Sequence, residues 1–279
     1  MSGVLIIGCG YVGTALGIEL SMSGFQVWGM RRDPSRLPAS IQPLACDLAE
    51  LSKFSLPCQP DYIFYMPSAG QYDAITYQKT YVNGVENLTK CIKFNQIKPK
   101  RLFYVSSTSV YGQSDGSWVD ESTAPQPNSA MAECLLQGEQ VLLQAPWPAT
   151  VVRFGGIYGP ERSNFIDQIK QGKMLLSPQP LYTNRIHRDD CAGLLHFLMQ
   201  QPQLAELYLG VDCEPSLKNT VITWLAGELG LPVPAVESET SLPERRMRGN
   251  KRCSNQRLLA AGYDFKYPSF REGYHSLIK

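Results

Sequence analysis

The residues with the most specific chemical capacity lie at the start of the chain, where Gly8-Cys9-Gly10-Tyr11-Val12-Gly13 follows directly on the apolar run Val4-Leu5-Ile6-Ile7. An apolar strand leading into G-x-G-x-x-G and then into a helix is an arrangement that holds a pyrophosphate. Gly8 permits the tight turn, Gly10 lets the backbone approach the phosphates, and Gly13 allows close packing of helix on strand. The helix opening at Tyr11 offers unpaired amides and the favourable end of its dipole to the same group. Gly8, Gly10, Tyr11, Val12 and Gly13 are therefore expected to bind a dinucleotide. The end of the second strand chooses between NAD and NADP. An acidic residue about 20 positions beyond the glycines would bond a ribose 2′-hydroxyl. Here Arg31 and Arg32 precede Asp33, and a guanidinium fork suits a 2′-phosphate. NADP is the preferred expectation, with Asp33 leaving NAD open. Asp47-Leu48, after the third strand, could meet the adenine. Pro67-Ser68-Ala69-Gly70, after the fourth, stands where a phosphate-side loop belongs.

Those loops need a frame, and the first half of the chain reads as one. Short β-rich runs (Val4–Ile7, Phe25–Trp28, Pro43–Cys46, Tyr62–Met66, Arg101–Val105, Ala149–Phe154) alternate with helical stretches at Tyr11–Met22, Tyr72–Asn95 and Ala132–Gln144. Such alternation implies a parallel sheet covered on both faces, whose strands read as continuous apolar runs. Beyond about residue 155 prolines gather, and helical spacing is clear only at Asp190–Met199 and Leu217–Leu229. The expectation is an α/β fold: a doubly wound parallel sheet of the Rossmann type with a smaller C-terminal substrate lobe. Its dinucleotide-binding domain would span 1–160 with a return at about 184–210. The remainder of 161–279 would form the lobe.

Composition narrows the function classes. The chain of 279 residues is 43% apolar, with 26 Lys plus Arg against 25 Asp plus Glu. Neither a nucleic-acid partner nor a polybasic membrane surface has an electrostatic basis in that balance. No apolar run reaches the roughly 20 residues that span a bilayer, and the N-terminus has no signal-like segment. A cytoplasmic protein is expected. The eight cysteines include no pair within four residues, so they read as reduced thiols with no metal site.

Later segments carry a resemblance. Tyr104-Val105-Ser106-Ser107-Thr108-Ser109-Val110-Tyr111-Gly112, Val119-Asp120-Glu121 with Pro125 and Pro127, Val152–Pro160 and Asn184–Ala192 stand in the order seen in the extended short-chain dehydrogenase/reductase superfamily of nucleotide-sugar epimerases and dehydratases. The chain resembles that group over nearly its whole length, with Asn83 matching its helix asparagine. The resemblance implies hydride transfer with a nicotinamide cofactor on a small polar carbonyl or nucleotide-sugar-like substrate. It implies Ser107 as the serine that positions a substrate oxygen, and Ser106 and Asn83 beside the cofactor. Arg153, Arg185 and His187 fall in segments near the substrate. The superfamily often dimerises through the helices corresponding to Tyr72–Asn95 and Ala132–Gln144, which leaves a homodimer open.

Two features depart from the family pattern. Its acid–base tyrosine and lysine, spaced Y-x-x-x-K, do not carry over. With Glu139 taken as the family's helix glutamate, Met131 and Leu135 occupy those positions. None of the 14 tyrosines has a lysine four residues later. The glycine loop also has the plainer G-x-G-x-x-G spacing, where the extended family reads G-x-x-G-x-x-G. Loss of a general acid–base group removes roughly 10²–10⁴ in rate. Tyr111, four residues after Ser107, is the nearest catalytic replacement, with Tyr72 and Tyr81 further candidates. A non-catalytic NADP(H)-binding sensor is the alternative reading. The basic run Glu244–Arg248 reads as a solvated face or a substrate phosphate site.

Overall fold

The computed structural model describes residues 2–237 and 249–278; the Glu244–Arg248 run lies outside the described residues. Strand β1 (Gly3–Ile7) is buried along its whole length, as four consecutive aliphatic side chains demand when both faces of a sheet are covered. Around it lie β2 (Gln26–Arg31), β3 (Gln42–Ala45), β4 (Tyr62–Tyr65) and β5 (Arg101–Ser107). Two later strands, β7 (Ala149–Phe154) and β11 (Leu207–Gly210), complete seven in the order β11-β7-β5-β4-β1-β2-β3. Every pairing from β3 across to β5 is parallel. The strand order reverses between β1 and β4, and ligands of open α/β sheets bind at such a switch point, beyond the carboxyl ends of the strands.

The chain forms two compact units. The first comprises 1–110, 127–153 and 191–208, and the second 111–126, 154–190 and 209–279. In the first unit α1 (Tyr11–Met22) follows β1. The helical stretch after β4 is not uniform: α2 (Ala74–Tyr77) passes through a π-helical turn (Gln78–Asn83) into α3 (Gly84–Phe94). The Tyr65 hydroxyl donates to the Thr80 carbonyl inside that turn, an insertion of a side chain into the helical ladder of the kind that deforms helices. Helix α4 (Ala130–Leu143) packs on the π turn so closely that a Cβ on Gly138 would lie 2.2 Å from the Tyr81 carbonyl oxygen. The core beneath is built from Leu5, Ile7, Met30, Ile63, Tyr65, Val85, Leu88, Ile92, Leu102 and Tyr104. Helix α6 (Arg188–Gln200) returns the chain to this unit.

The second unit is held by short pairings. β8 (Gly156–Tyr158) runs parallel to β10 (Arg185–His187), and β6 (Trp118–Val119) parallel to β13 (Arg252–Cys253). β9 (Tyr182–Thr183) and β12 (Ser216–Leu217) are antiparallel. Helices α5 (Asn164–Lys170), α7 (Lys218–Glu228), α8 (Gln256–Ala260) and α9 (Phe270–His275) complete it. Its core gathers Tyr158, Ile166, Ile169, Val221, Leu225, Phe270 and Tyr274. Asp190, fully buried, accepts from the Tyr263 hydroxyl and from the Lys266 and Tyr267 amides, at 2.8–3.1 Å. One carboxylate thus fixes the 263–267 loop to the start of α6.

Candidate active site

In the first unit the glycine loop has the form the sequence predicts. Gly8 takes φ +81°, and its amide donates to the Met30 carbonyl at 2.9 Å. A Cβ there would lie 2.3 Å from Pro67, so the loops after β1 and β4 touch at the switch point. A Cβ on Gly13 would come within 3.0 Å of Ile6, whereas one on Gly10 would meet only the Gly8 carbonyl, at 3.8 Å. Protein therefore fills the space at the first and third glycines and leaves it open at the second. Gly10 caps α1, no side chain caps it, and its first turn has no acidic residue. The amides of that turn lack intrahelical acceptors. This cradle fits the pyrophosphate of a dinucleotide.

The loops after the neighbouring strands add to it. Arg31 reaches back from the end of β2, its Nη1 3.4 Å from the Cys9 carbonyl oxygen, while Arg32 is exposed. Asp33 turns to Ser35, accepting from its amide at 3.0 Å, and hydrogen bonds from Ser35 hold its carboxyl below the usual range. Asp47 closes a turn on the Ala49 amide at 2.9 Å. The Leu48 carbonyl accepts from Asn87 Nδ2 at 2.9 Å, a positioning contact with no signal in the sequence. After β4, Ser68 is exposed and the Ala69 amide lies 3.4 Å from the Tyr81 hydroxyl. Tyr81 thereby joins the loop at the switch point, in ring contact with Tyr77, and burial raises its pKa. Asn83 is exposed, and its Oδ1 faces Gln78 Nε2 at 3.4 Å. Ser107, at the end of β5, is half-buried and its Oγ accepts from the Ser109 amide at 3.1 Å. Met131 stands half-buried in the first turn of α4 and Leu135 is buried one turn on.

The structure gives three candidate residues structural partners in place of an open face. The Ser106 hydroxyl donates to Glu139 at 2.5 Å, in a side-chain pair that is wholly buried. Arg153, expected near substrate, forks onto the same carboxylate through Nε and Nη2 at 3.0 and 2.6 Å, with 5% of its side chain exposed. Bidentate geometry is what a buried guanidinium needs to offset its desolvation. Tyr111, expected to replace the lost tyrosine, is fully buried, and its hydroxyl donates to the Asp120 carbonyl at 3.0 Å. These are contacts of the frame.

The second unit holds Arg185 and His187 in one buried polar cluster. Arg185 donates to Thr183 Oγ1 and lies 5.7 Å from the Phe165 ring centre. His187 Nδ1 accepts from the Asp189 amide at 3.2 Å, which leaves the proton on Nε2. Burial pushes its pKa down to about 4, so at neutral pH its 3.9 Å approach to Asp189 is not an ion pair. His187 packs edge-on against Tyr158, its partner across the β8–β10 pairing, at 5.3 Å. Asp212 Oδ1 accepts from the Glu214 amide at 3.2 Å, and burial pushes its pKa up to about 8. His187 Nε2, Tyr158 Oη and Asp212 Oδ2 have no hydrogen-bond partner among the described residues. Tyr158 lies in the Val152–Pro160 segment that carries the resemblance, but Asp212 gave no signal in the sequence, because it directly follows the apolar run Tyr208–Val211. Among the described residues no group of His, Cys, Asp and Glu could hold a metal ion, and no helix is long and apolar enough to cross a membrane.

Comparison with known proteins agrees with this geometry. The chain is 26% identical to Protein YeeZ of Escherichia coli K12 over 286 residues, covering 96% of this chain and 97% of that one. A Methylobacillus flagellatus structure named for the NAD-dependent epimerase/dehydratase class superposes with TM-score 0.81 at 33% identity, over 99% and 97% of the two chains. The human epimerase family protein SDR39U1, solved with NADPH, has the same fold at 18% identity, with TM-score 0.77 over 99% and 98%. The family model matches residues 4–208, and the chain belongs to the NAD dependent epimerase/dehydratase family.

Proposed function

We propose that the first unit binds a nicotinamide dinucleotide, NADP(H) in preference to NAD(H). On this proposal the protein is a reductase- or epimerase/dehydratase-like enzyme acting on a small polar carbonyl or nucleotide-sugar-like substrate. The observation that carries it is the open space at Gly10 between two glycines packed against protein. Arg31 supports NADP(H), since its guanidinium lies beside the glycine loop while Asp33 is engaged by Ser35. The nucleotide-sugar part draws support from structures of the same fold, 20% and 17% identical to this chain, that were solved with UDP-glucuronic acid and NAD, and with NAD and UDP. Ser107 is the residue proposed to position a substrate oxygen. With Met131 and Leu135 in place of the acid–base pair, the Tyr81 hydroxyl beside Ala69 is the candidate proton donor. Its raised pKa suits donation to a developing alkoxide better than proton abstraction.

Fluorescence titration with NADPH and NADH tests the cofactor reading. Tighter binding of NADPH is expected, and Arg31→Ala should remove most of the difference, roughly tenfold for a charge-assisted contact of about 1.4 kcal/mol. Equal affinities in wild type refute the NADP preference, and no binding of either refutes the reading. Met131 and Leu135 also favour a second reading, a non-catalytic NADP(H) sensor. Tight NADPH binding with no oxidation across a panel of carbonyls and nucleotide sugars would select the sensor.

A further inference from the structure

In the first unit the end of β4 meets the π turn at two points. The hydroxyl of Tyr65, the last residue of β4, donates to the Thr80 carbonyl. Four residues on, the Ala69 amide donates to the Tyr81 hydroxyl at 3.4 Å. Thr80 and Tyr81 are neighbours in the turn. One residue of the turn is therefore gripped in the core while the next reaches the loop at the switch point.

The deeper contact bears on the helical register. In an α-helix the donor to the Thr80 carbonyl would be the Gly84 amide. The Tyr65 hydroxyl stands against Gly84, where an added Cβ would lie 2.0 Å from it, and it supplies a proton to that carbonyl from outside the helix. A side chain inserted into the ladder in this way accommodates the extra residue of a π turn. Tyr65 is 1% exposed, and burial raises its pKa well above the ordinary tyrosine value, so the hydroxyl keeps the proton it donates. Were the turn to close into α-helical register, the side chains before it would swing by up to about 100° relative to α3, the angular step of one residue. Tyr81 would then leave Ala69.

Tyr104, on the neighbouring strand, supplies the contrast. Its ring stacks on that of Tyr65 at 5.8 Å, it is fully buried, and its hydroxyl has no hydrogen-bond partner among the described residues. Two rings of one kind lie side by side in one core, and it is the Tyr65 hydroxyl that bonds to the turn.

We propose that Tyr65 is a positioning residue whose hydroxyl keeps the turn π-helical and thereby holds the Tyr81 hydroxyl on the loop at the switch point. The proposal rests on the enzyme reading only in the use made of Tyr81 as proton donor.

Amide hydrogen exchange at Ala69, followed by NMR on the full chain, tests it in Tyr65→Phe, Tyr81→Phe, the double variant Y65F/Y81F and Tyr104→Phe. Tyr81→Phe removes the acceptor outright and should speed exchange at Ala69 roughly tenfold or more. Tyr65→Phe should match it, and the double variant should add nothing, because both act through one contact. Tyr104→Phe, which removes an equally buried hydroxyl from the same core, should leave Ala69 within about twofold of wild type. The proposal is overturned if Tyr65→Phe leaves Ala69 as in wild type, if the double variant exchanges faster than either single one, or if Tyr104→Phe speeds Ala69 as much, which would make the effect a loosened core. Gly84→Ala, which sets a methyl group where the Tyr65 hydroxyl stands, is used under the same criteria if Tyr65→Phe does not fold. With a substrate that turns over, Tyr65→Phe should lower kcat with KM and NADPH affinity unchanged. A panel without turnover counts against the enzyme reading and leaves the exchange criteria to decide this one.

Discussion

Asp212→Asn should make the protein more stable, by an amount that grows with pH. Asp212 is 2% exposed and its folded pKa lies near 8, against an ordinary 3.8. Below pH 4 both folded and unfolded states carry the proton, and the group has no effect on the balance. Between 4 and 8 the unfolded state releases its proton while the folded state retains it, so stability falls by about 1.4 kcal/mol per pH unit. Above 8 both states are ionised and the loss is constant, at roughly 4–6 kcal/mol for a shift of this size. Asparagine copies the shape of the neutral acid and can still accept from the Glu214 amide, but it has no proton to release. Urea denaturation of wild type and variant at pH 5, 6, 7 and 8 gives the stability difference directly. That difference should widen by about 2–3 kcal/mol from pH 5 to pH 7. A difference that stays flat, or a variant less stable at every pH, would show that Asp212 is ionised in the fold and that burial does not govern it.

Further perturbations follow from the first unit. Glu139→Gln leaves the Arg153 guanidinium buried without its counter-charge and should cost about 3–5 kcal/mol in a denaturation experiment; the double variant E139M/R153M should be more stable than the single one, and a single variant within 1 kcal/mol of wild type would contradict the pairing. Gly8→Ala forces a side chain into φ +81° and against Pro67, which should lower stability by more than about 2 kcal/mol. Gly10→Ala meets no such wall, so it should change stability by less than about 1 kcal/mol yet weaken NADPH at least tenfold. Melting curves beside NADPH titrations separate the two, and unchanged NADPH affinity in Gly10→Ala counts against the cradle.

The frame of the first unit was largely legible in the sequence, since its strands are continuous apolar runs. Tyr11–Met22 and Ala149–Phe154 appear with the expected bounds. β2 continues to Arg31, three residues past the expected Trp28, because Gly29 does not break the strand but gives Ile41 and Cys9 room to pack, where an added Cβ would lie 2.7 and 2.9 Å from them. The π turn had no local signal, since it depends on Tyr65 from a neighbouring strand. The two-residue pairings of the second unit were invisible for the same reason: each joins segments far apart in the chain. At the site, the glycine loop was readable because glycine spacing reports backbone demands directly. The pairing of Arg153 with Glu139 was not legible, because an arginine's type says nothing of where its charge is met.

The sheet order has a consequence for how the protein is made. β7 is flanked on one side by β5 and on the other by β11, and about 50 residues separate β7 from β11 along the chain. At roughly 5–20 residues per second, a ribosome needs several seconds to deliver the missing neighbour. During that interval Val151, Val152 and Phe154, all buried in the finished protein, belong to a strand with one row of amides and carbonyls unpaired. Such an edge recruits whatever strand is nearest, another nascent chain on the same message included. Slow translation between β7 and β11 should therefore raise the aggregated fraction, whereas slow translation after residue 210 should not.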